Sequence, residues 1–304
     1  MNNERPRRTW LWVVVSGGAL FLFFLAVFTL VYLSVKGGDK SEFASGFGDK
    51  IAVVKIEGVI IGSEDVVKQL KKWGDDGSVK AIILHINTPG GGAAASEEIY
   101  REVRRVRERK KKRVVAAIEA LGASGGYYVA CGADKIFANE NSIVGSIGVI
   151  AQWTNYSDLI RWAKLKDEVI KTGEFKDTGN PARELTPAER EYLQVLINDM
   201  LKQFVHAVAE GRKRKDEEIR ALADGKVWTG SQALGLKLID QIGDFQAAVE
   251  DTAKSVGIKG EPTLVRQEKR RRTLLDLLTG DLSEWLPDRA KLLETNVGFY
   301  YLWK

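Results

Sequence analysis

Two glycine-rich turns carry the residue types that could do chemistry: Pro89-Gly90-Gly91-Gly92 and Gly122-Ala123-Ser124-Gly125-Gly126. Each follows an apolar run and precedes a helical pattern. Such a turn exposes backbone N–H groups, which can hold an anion or a developing oxyanion. Neither turn has the spacing or the lysine of a P-loop, and a glycine cluster by itself also suits a plain tight turn. Ser124 stands where a strand meets a helix, between small neighbours. That setting can project a hydroxyl beside the next N–H, as in nucleophile elbows. It equally suits a helix N-cap with no chemistry.

A serine nucleophile needs a base. The sequence holds 2 His. His85 lies inside an apolar strand and shares a face with Ile83 and Asn87, so it reads as a satisfied, partly buried side chain. His206 sits in a helical stretch between Val205 and Val208 and reads as core or helix-surface packing. A Ser-Lys dyad is the remaining route, and a lysine in that role has to be desolvated enough to shed its proton. Lys176, in Lys171-Thr-Gly-Glu-Phe-Lys-Asp177, follows a strand-like segment in a loop with a glycine. Taken alone it is one lysine among many. The single Cys allows no disulfide within the chain and no cysteine-rich zinc site.

These residues must be positioned by alternating elements. Ile51-Ala-Val-Val-Lys-Ile56 reads as a strand. Ser63 to Trp73 reads as a helix with Ser63 as N-cap. Val79 to Ile86 is a second strand running into the first glycine turn. Residues 93–112 read as a helix with a basic end. Val114 to Ile118 is a third strand, and Tyr127 to Cys131 opens the helix after Ser124. Ile136–Ala138 and 143–150 read as short strands around Gly145 and Gly148. Strands alternating with helices predict an α/β fold with a largely parallel sheet. The second half is helical: 186–210, with Thr186-Pro187 as N-cap and first position, then 215–224, then two helices over 231–256 around a turn at Gly243. The notional protease domain runs 49–258, and 259–304 reads as a basic, then amphipathic tail with no visible link to the core.

Composition fits this reading. The chain has 304 residues, 44% of them hydrophobic and 29% charged. That excludes disorder, collagen and coiled coil as whole-chain classes and allows one or two domains. A net charge of +5 is too mild to argue for nucleic acid. Residues 10–35 carry no formal charge. A helix of that length would span about 39 Å, enough for a bilayer core of about 30 Å. The run exceeds the apolar core of a signal peptide and lacks a small-x-small cleavage site, so a retained transmembrane anchor is expected. Arg5, Arg7 and Arg8 precede it and Lys36 alone follows closely. The positive-inside rule then places residues 1–9 in the cytoplasm and the remainder in the periplasm or outside. Residues 36–48 read as a flexible tether.

The order of motifs carries a resemblance. Ile86-Asn-Thr-Pro-Gly-Gly-Gly92, Gly122-Ala-Ser-Gly-Gly-Tyr-Tyr128, Gly145-Ser-Ile-Gly148 and Gly173-Glu-Phe-Lys-Asp177 closely resemble the signal peptide peptidase A family in its short, single-repeat form. Ala133-Asp-Lys-Ile-Phe-Ala138 and Asp224-Gly-Lys-Val-Trp-Thr-Gly230 are similar too, and the likeness runs from about Ile51 to Ala253. It implies a Ser-Lys protease on the repeated β-β-α superhelix shared by Clp proteases and crotonases, with a helical C-terminal part. By the resemblance, Ser124 is the nucleophile, Lys176 the general base and Ser146 a serine that supports the lysine. Gly91 and Gly125 supply the oxyanion-hole N–H groups. Thr88 departs from the family's usual serine before the proline and puts nothing catalytic in doubt. No cofactor or metal is implied. The substrates implied are cleaved signal peptides and other apolar peptides. A ring- or dome-shaped homo-oligomer is implied, with Ser and Lys of one site coming from neighbouring protomers.

Arg101 to Arg113 holds nine Lys/Arg against two Glu. It reads as a solvated helix face with alternating signs, with contact to anionic lipid as the rival. Three other functional readings stay open: a related anchored protease acting on membrane proteins, a crotonase-type acyl-CoA enzyme, and a non-catalytic membrane scaffold.

Overall fold

A computed structural model of the chain describes residues 17–18, 20–29, 49–267 and 298–303. The chain divides into two compact units. In the first, residues 20–29 are helical, and Leu20, Phe21, Phe24 and Phe28 each expose 60% or more of their surface. Among the described residues no helix is long and apolar enough to cross a membrane. The rest of the 10–35 anchor lies outside the described residues, as do residues 1–9 and 36–48.

The second unit is α/β, as the alternation predicts. The strands in chain order are β1 (Lys50–Glu57), β2 (Val79–Thr88), β3 (Gly90–Gly92), β4 (Arg113–Ala123), β5 (Lys135–Ala138), β6 (Ile143–Gly145), β7 (Ile150–Gln152), β8 (Val227–Thr229), β9 (Gln241–Ile242), β10 (Thr263–Arg266) and β11 (Gly298–Leu302). The helices are α1 (Glu64–Asp75), α2 (Ala93–Arg109), α3 (Gly125–Ala130), α4 (Ser157–Trp162), α5 (Pro187–Arg212), α6 (Asp216–Arg220), α7 (Gly230–Gly235) and α8 (Phe245–Ser255). The main sheet runs β10-β1-β2-β4-β5-β9, all neighbours parallel.

Alternation along the strands sends side chains to two cores. Val54, Leu84, Ile86 and Ala116 pack with α1, α2, α3 and α5 on one face. Ile51, Ile83, Val115 and Phe137 pack with α8 on the other. Strands buried on both faces read as near-continuous apolar runs, which is why β1 and β2 were visible as such.

Three differences from the sequence reading bear on the site. β4 continues five residues past Ile118, to Ala123. Its register against β2 shifts after Ile86, and Leu121–Ala123 gain a new parallel partner in β6. Ser63 precedes α1 but does not cap it with its side chain; its hydroxyl instead bonds the Glu98 carboxylate. Two described stretches after 258 are tied to the core: β10 pairs with β1, and β11 lies antiparallel between β3 and β7. The Thr186 cap of α5 forms as expected, as a full capping box with Glu189 and with Pro187 at the helix start.

Candidate active site

Ser124 ends the β4 run and begins α3. Its backbone sits at φ 50°, ψ −115°, a sparsely populated region for a residue with a Cβ. Two backbone bonds hold it there. Its N–H donates to the Gly145 carbonyl at 2.7 Å, and its carbonyl accepts from Tyr128 N–H at 2.8 Å. The residue is 1% exposed. Its hydroxyl makes no cap and no other hydrogen bond among the described residues. The strained turn therefore aims an uncommitted hydroxyl, and N-capping is not its role.

The two glycine turns meet beside it. A Cβ built on Gly125 would stand 2.4 Å from Ser96 Oγ and 3.2 Å from the Gly91 nitrogen. One on Gly90, at φ +96°, would stand 2.6 Å from the Gly125 nitrogen. Only glycine allows this approach. Gly91 is pinned from behind by Ile60: Ile60 N–H donates to Gly90 O, and Gly92 N–H donates to Ile60 O, both at 2.8 Å. Thr88 shapes the same turn. Its hydroxyl accepts from Gly90 N–H at 3.0 Å and bonds the Gly58 carbonyl. The result is a patch of backbone N–H groups on the flank of Ser124, suited to an oxygen that gains charge.

Ser146 sits one strand away. The parallel register pairs Ala123 with Gly145, so Ser124 and Ser146 each follow the last pair. Ser146 is 5% exposed, at φ 52°. Lys176 is placed differently. It lies exposed on a 3-10 turn, Glu174–Asp177, and its ammonium has no hydrogen bond or ion pair among the described residues. That turn is fixed by its neighbours: Asp177 pairs with Lys171 at 2.5 Å and Arg183 at 2.8 Å, and Arg183 pairs with Glu189 at 2.5 Å. Hydrogen bonds from Arg183 and Lys171 hold the Asp177 carboxyl well below its ordinary range. Those from Arg183, helped by the Thr186 amide, hold Glu189 at about 2. The structure thus gathers Ser124, Gly91, Gly125 and Ser146, while no hydrogen bond within one chain joins Lys176 to Ser124.

Other nucleophiles and bases are set aside by their surroundings. His85 projects to the α8 face of the sheet, 4.6 Å from the Phe245 ring, while α3 packs on the opposite face. Burial lowers its pKa, with Glu119 at 3.4 Å opposing. It is partly buried as expected, but its Nδ1 finds no partner. His206 is exposed on α5 and pairs with Asp216 at 3.2 Å. Burial pushes the Cys131 thiol up to about 12, far from a reactive thiolate. The sequence reading missed Ser96, whose buried hydroxyl donates to Gly92 O at 3.0 Å beside Gly125. It also missed Ile60, and Tyr301 on β11. Ser96 and Ile60 look locally like any helix serine and any loop isoleucine. The apolar run Phe299-Tyr-Tyr-Leu302 was the one available signal for the strand.

A buried serine with an uncommitted hydroxyl, beside two glycine turns on a parallel α/β sheet, is an arrangement compatible with a serine hydrolase. The profile of peptidase family S49 matches residues 106–259. A putative protease of Synechocystis sp. is 35% identical over 243 residues, 80% of this chain and 87% of that protein. A putative signal peptide peptidase SppA of Enterococcus faecium is 34% identical over 226 residues, 74% of this chain and 63% of that protein. Protease 4 of Haemophilus influenzae is 35% identical over 217 residues, covering 68% of this chain but 35% of its own length. The chain belongs to peptidase family S49, as the resemblance to signal peptide peptidase A implied, and is a serine-type peptidase.

Proposed function

We propose that the chain is a membrane-anchored endopeptidase that cuts remnant signal peptides with a Ser124–Lys176 dyad. The observation that carries the reading is the strained, buried Ser124 with an unbonded hydroxyl beside the Gly91 and Gly125 N–H groups. In this mechanism Lys176 takes the Ser124 proton as Oγ attacks the peptide carbonyl. The carbonyl oxygen collects its charge against the two glycine N–H groups, a contribution of about 3 kcal/mol per donor. Lys176 returns the proton to the leaving amine, and water releases the acyl group. Ser146, one strand from Ser124, orients the lysine.

Because Lys176 is exposed and unbonded in the single chain, a neighbouring copy is the natural receiver of its ammonium. The segment that leads into its turn also shows apolar side chains to solvent: Trp162 is 81% exposed, Leu165 65% and Ile170 104%. These favour a ring- or dome-shaped homo-oligomer in which one site draws Ser and Lys from two protomers. The parallel sheet with glycine-turned crossovers favours kinship with the Clp protease and crotonase superhelix. The uncharged run at 10–35, helical where described at 20–29, and the arginines that precede it favour a single anchor with the catalytic unit outside the cytoplasm.

The test is peptidase activity of the full chain in detergent on a fluorogenic apolar peptide. Ser124→Ala and Lys176→Ala should each lose roughly 10⁴-fold or more, with unchanged melts and oligomer size. Full activity in Lys176→Ala would move the base elsewhere. An inactive but assembled wild type would favour the scaffold reading.

A further inference from the structure

The two glycine turns beside Ser124 are glycine for different reasons. Gly90 has a left-handed φ of +96°, a backbone state that side chains resist. Gly125 opens α3 and is not among the left-handed glycines. What excludes a side chain there is space. A Cβ on Gly125 would stand 2.4 Å from Ser96 Oγ, against 3.1 Å from the Tyr301 oxygen and 3.2 Å from the Gly91 nitrogen. The tightest of these contacts is with a side chain, and that side chain is Ser96.

Ser96 lies on α2, four residues after Gly92, and is fully buried. Its hydroxyl donates to Gly92 O at 3.0 Å. A helix serine often bonds back to the carbonyl four residues before it, so that bond alone would be ordinary. The contact with Gly125 sets this serine apart. With its proton committed to one glycine turn, the hydroxyl oxygen bears against the other. Gly92 is held from its own N–H as well, which donates to Ile60 O at 2.8 Å. Thr88 also crosses between the turns, with its hydroxyl accepting from Gly90 N–H and its methyl facing Gly126, where a Cβ would stand 2.5 Å away. Ser96 meets Gly125 itself.

We propose that Ser96 is a positioning residue for the reaction. It fixes the separation of the Gly91 and Gly125 N–H groups by bonding the first turn and bracing the second. The proposal rests on those two N–H groups serving as oxyanion donors. Two donors stabilise a developing oxyanion only when both stay within about 2.7–3.1 Å of the place it will occupy. That place fills only as the carbonyl carbon becomes tetrahedral. A loosened spacing therefore raises the barrier to chemistry and leaves peptide binding nearly unchanged. Ser96 touches no reacting atom and acts through Gly92 and Gly125. Replacing it by alanine costs α2 nothing in helix propensity, because alanine is the better helix former.

The test is a double-mutant cycle in the full-length chain, with kcat, KM and a thermal melt for each variant. Ser96→Ala should lower kcat roughly 5- to 50-fold, less than the roughly 10²-fold of a full 1 Å misplacement, and should change KM by less than about 2-fold. Gly125→Ala should lower kcat roughly 10²- to 10³-fold, the worth of one donor. In the double variant the new methyl takes the space the hydroxyl left. It should be roughly 10-fold more active than Gly125→Ala alone, and its melting midpoint should recover with it. Ser96→Ala would thus harm the wild type and help the Gly125→Ala chain, a reversal that independent sites do not show. A serine that served only its helix would shift the melt and leave kcat alone. Unchanged kcat in Ser96→Ala, or a double variant no more active than Gly125→Ala, overturns the proposal. Full activity in Gly125→Ala would instead remove Gly125 from the site and overturn the oxyanion reading beneath it.

Discussion

Around Ser124 the chain is held by backbone. Gly145 and Tyr128 bond its own peptide groups, Ile60 clamps the facing glycine turn, and the surrounding residues are buried. Around Lys176 the chain is held by side chains. Lys171, Arg183 and Glu189 tie down Asp177 and the start of α5, and apolar groups such as Phe175 and Trp162 face solvent. Backbone clamps in a packed core fix a nucleophile and its oxyanion donors to within fractions of an ångström. A charge-paired surface turn can only aim a lysine toward something that arrives. One half of the proposed dyad is thus completed within the chain and the other is presented outward.

Breaking the core half should have the larger effect. Gly91→Ala would drive its Cβ to 2.1 Å from the Ile60 carbonyl oxygen and 2.6 Å from its nitrogen. The turn must move, and the proposed oxyanion donor moves with it. Peptidase activity should fall roughly 10²- to 10³-fold, the worth of one such donor, with a smaller drop in the melting midpoint. An active Gly91→Ala enzyme would remove Gly91 from the site. Next comes the charge clamp. Arg183→Met leaves Asp177 and the buried Glu189 without their shared partner. Activity should fall roughly 10- to 100-fold through misplacement of the Lys176 turn, and labelling by a serine-directed phosphonate should slow in step, because the same lysine activates Ser124 in the proposed dyad. Labelling at the wild-type rate would show that Ser124 does not depend on the Lys176 turn.

The smallest effect is on acid stability. Glu189 has its pKa lowered from 4.5 to about 2 by Arg183. A depressed carboxylate contributes stability that is present above its unfolded value and is lost as pH falls through the folded one. The wild-type melting midpoint should therefore fall between about pH 4.5 and 2. Glu189→Gln should start lower at neutral pH and flatten over that window. A parallel fall in both proteins would assign the acid loss to other groups.

How far the sequence announced this structure differs in the same two regions. β1 and β2 are buried on both faces, so their apolar runs are visible without any knowledge of partners. The Ser124 turn is legible because small residues crowd a strand–helix junction, although local sequence leaves it balanced between nucleophile and cap. The unbonded hydroxyl removes the cap and leaves the nucleophile as the proposed role. Lys176 had no local mark at all and entered through the resemblance. The pairing of β11 with β3 joins residues about 210 apart in sequence, at Tyr301 and Gly91. No periodicity in a five-residue run can specify such a partner, so the segment read as a detached tail. The extension of β4 to Ala123 was hidden for a related reason, since it depends on β6 arriving alongside.

The central claim is that a serine built into the core of one copy works with a lysine presented by another. Ser124→Ala and Lys176→Ala full-length chains, separately tagged, would be co-expressed, purified through both tags and assayed on the fluorogenic peptide. The account predicts that each variant alone is inactive and that the mixed assembly regains activity, because some sites then combine an intact serine with an intact lysine. A mixed assembly that co-purifies at the wild-type size and stays inactive would contradict it.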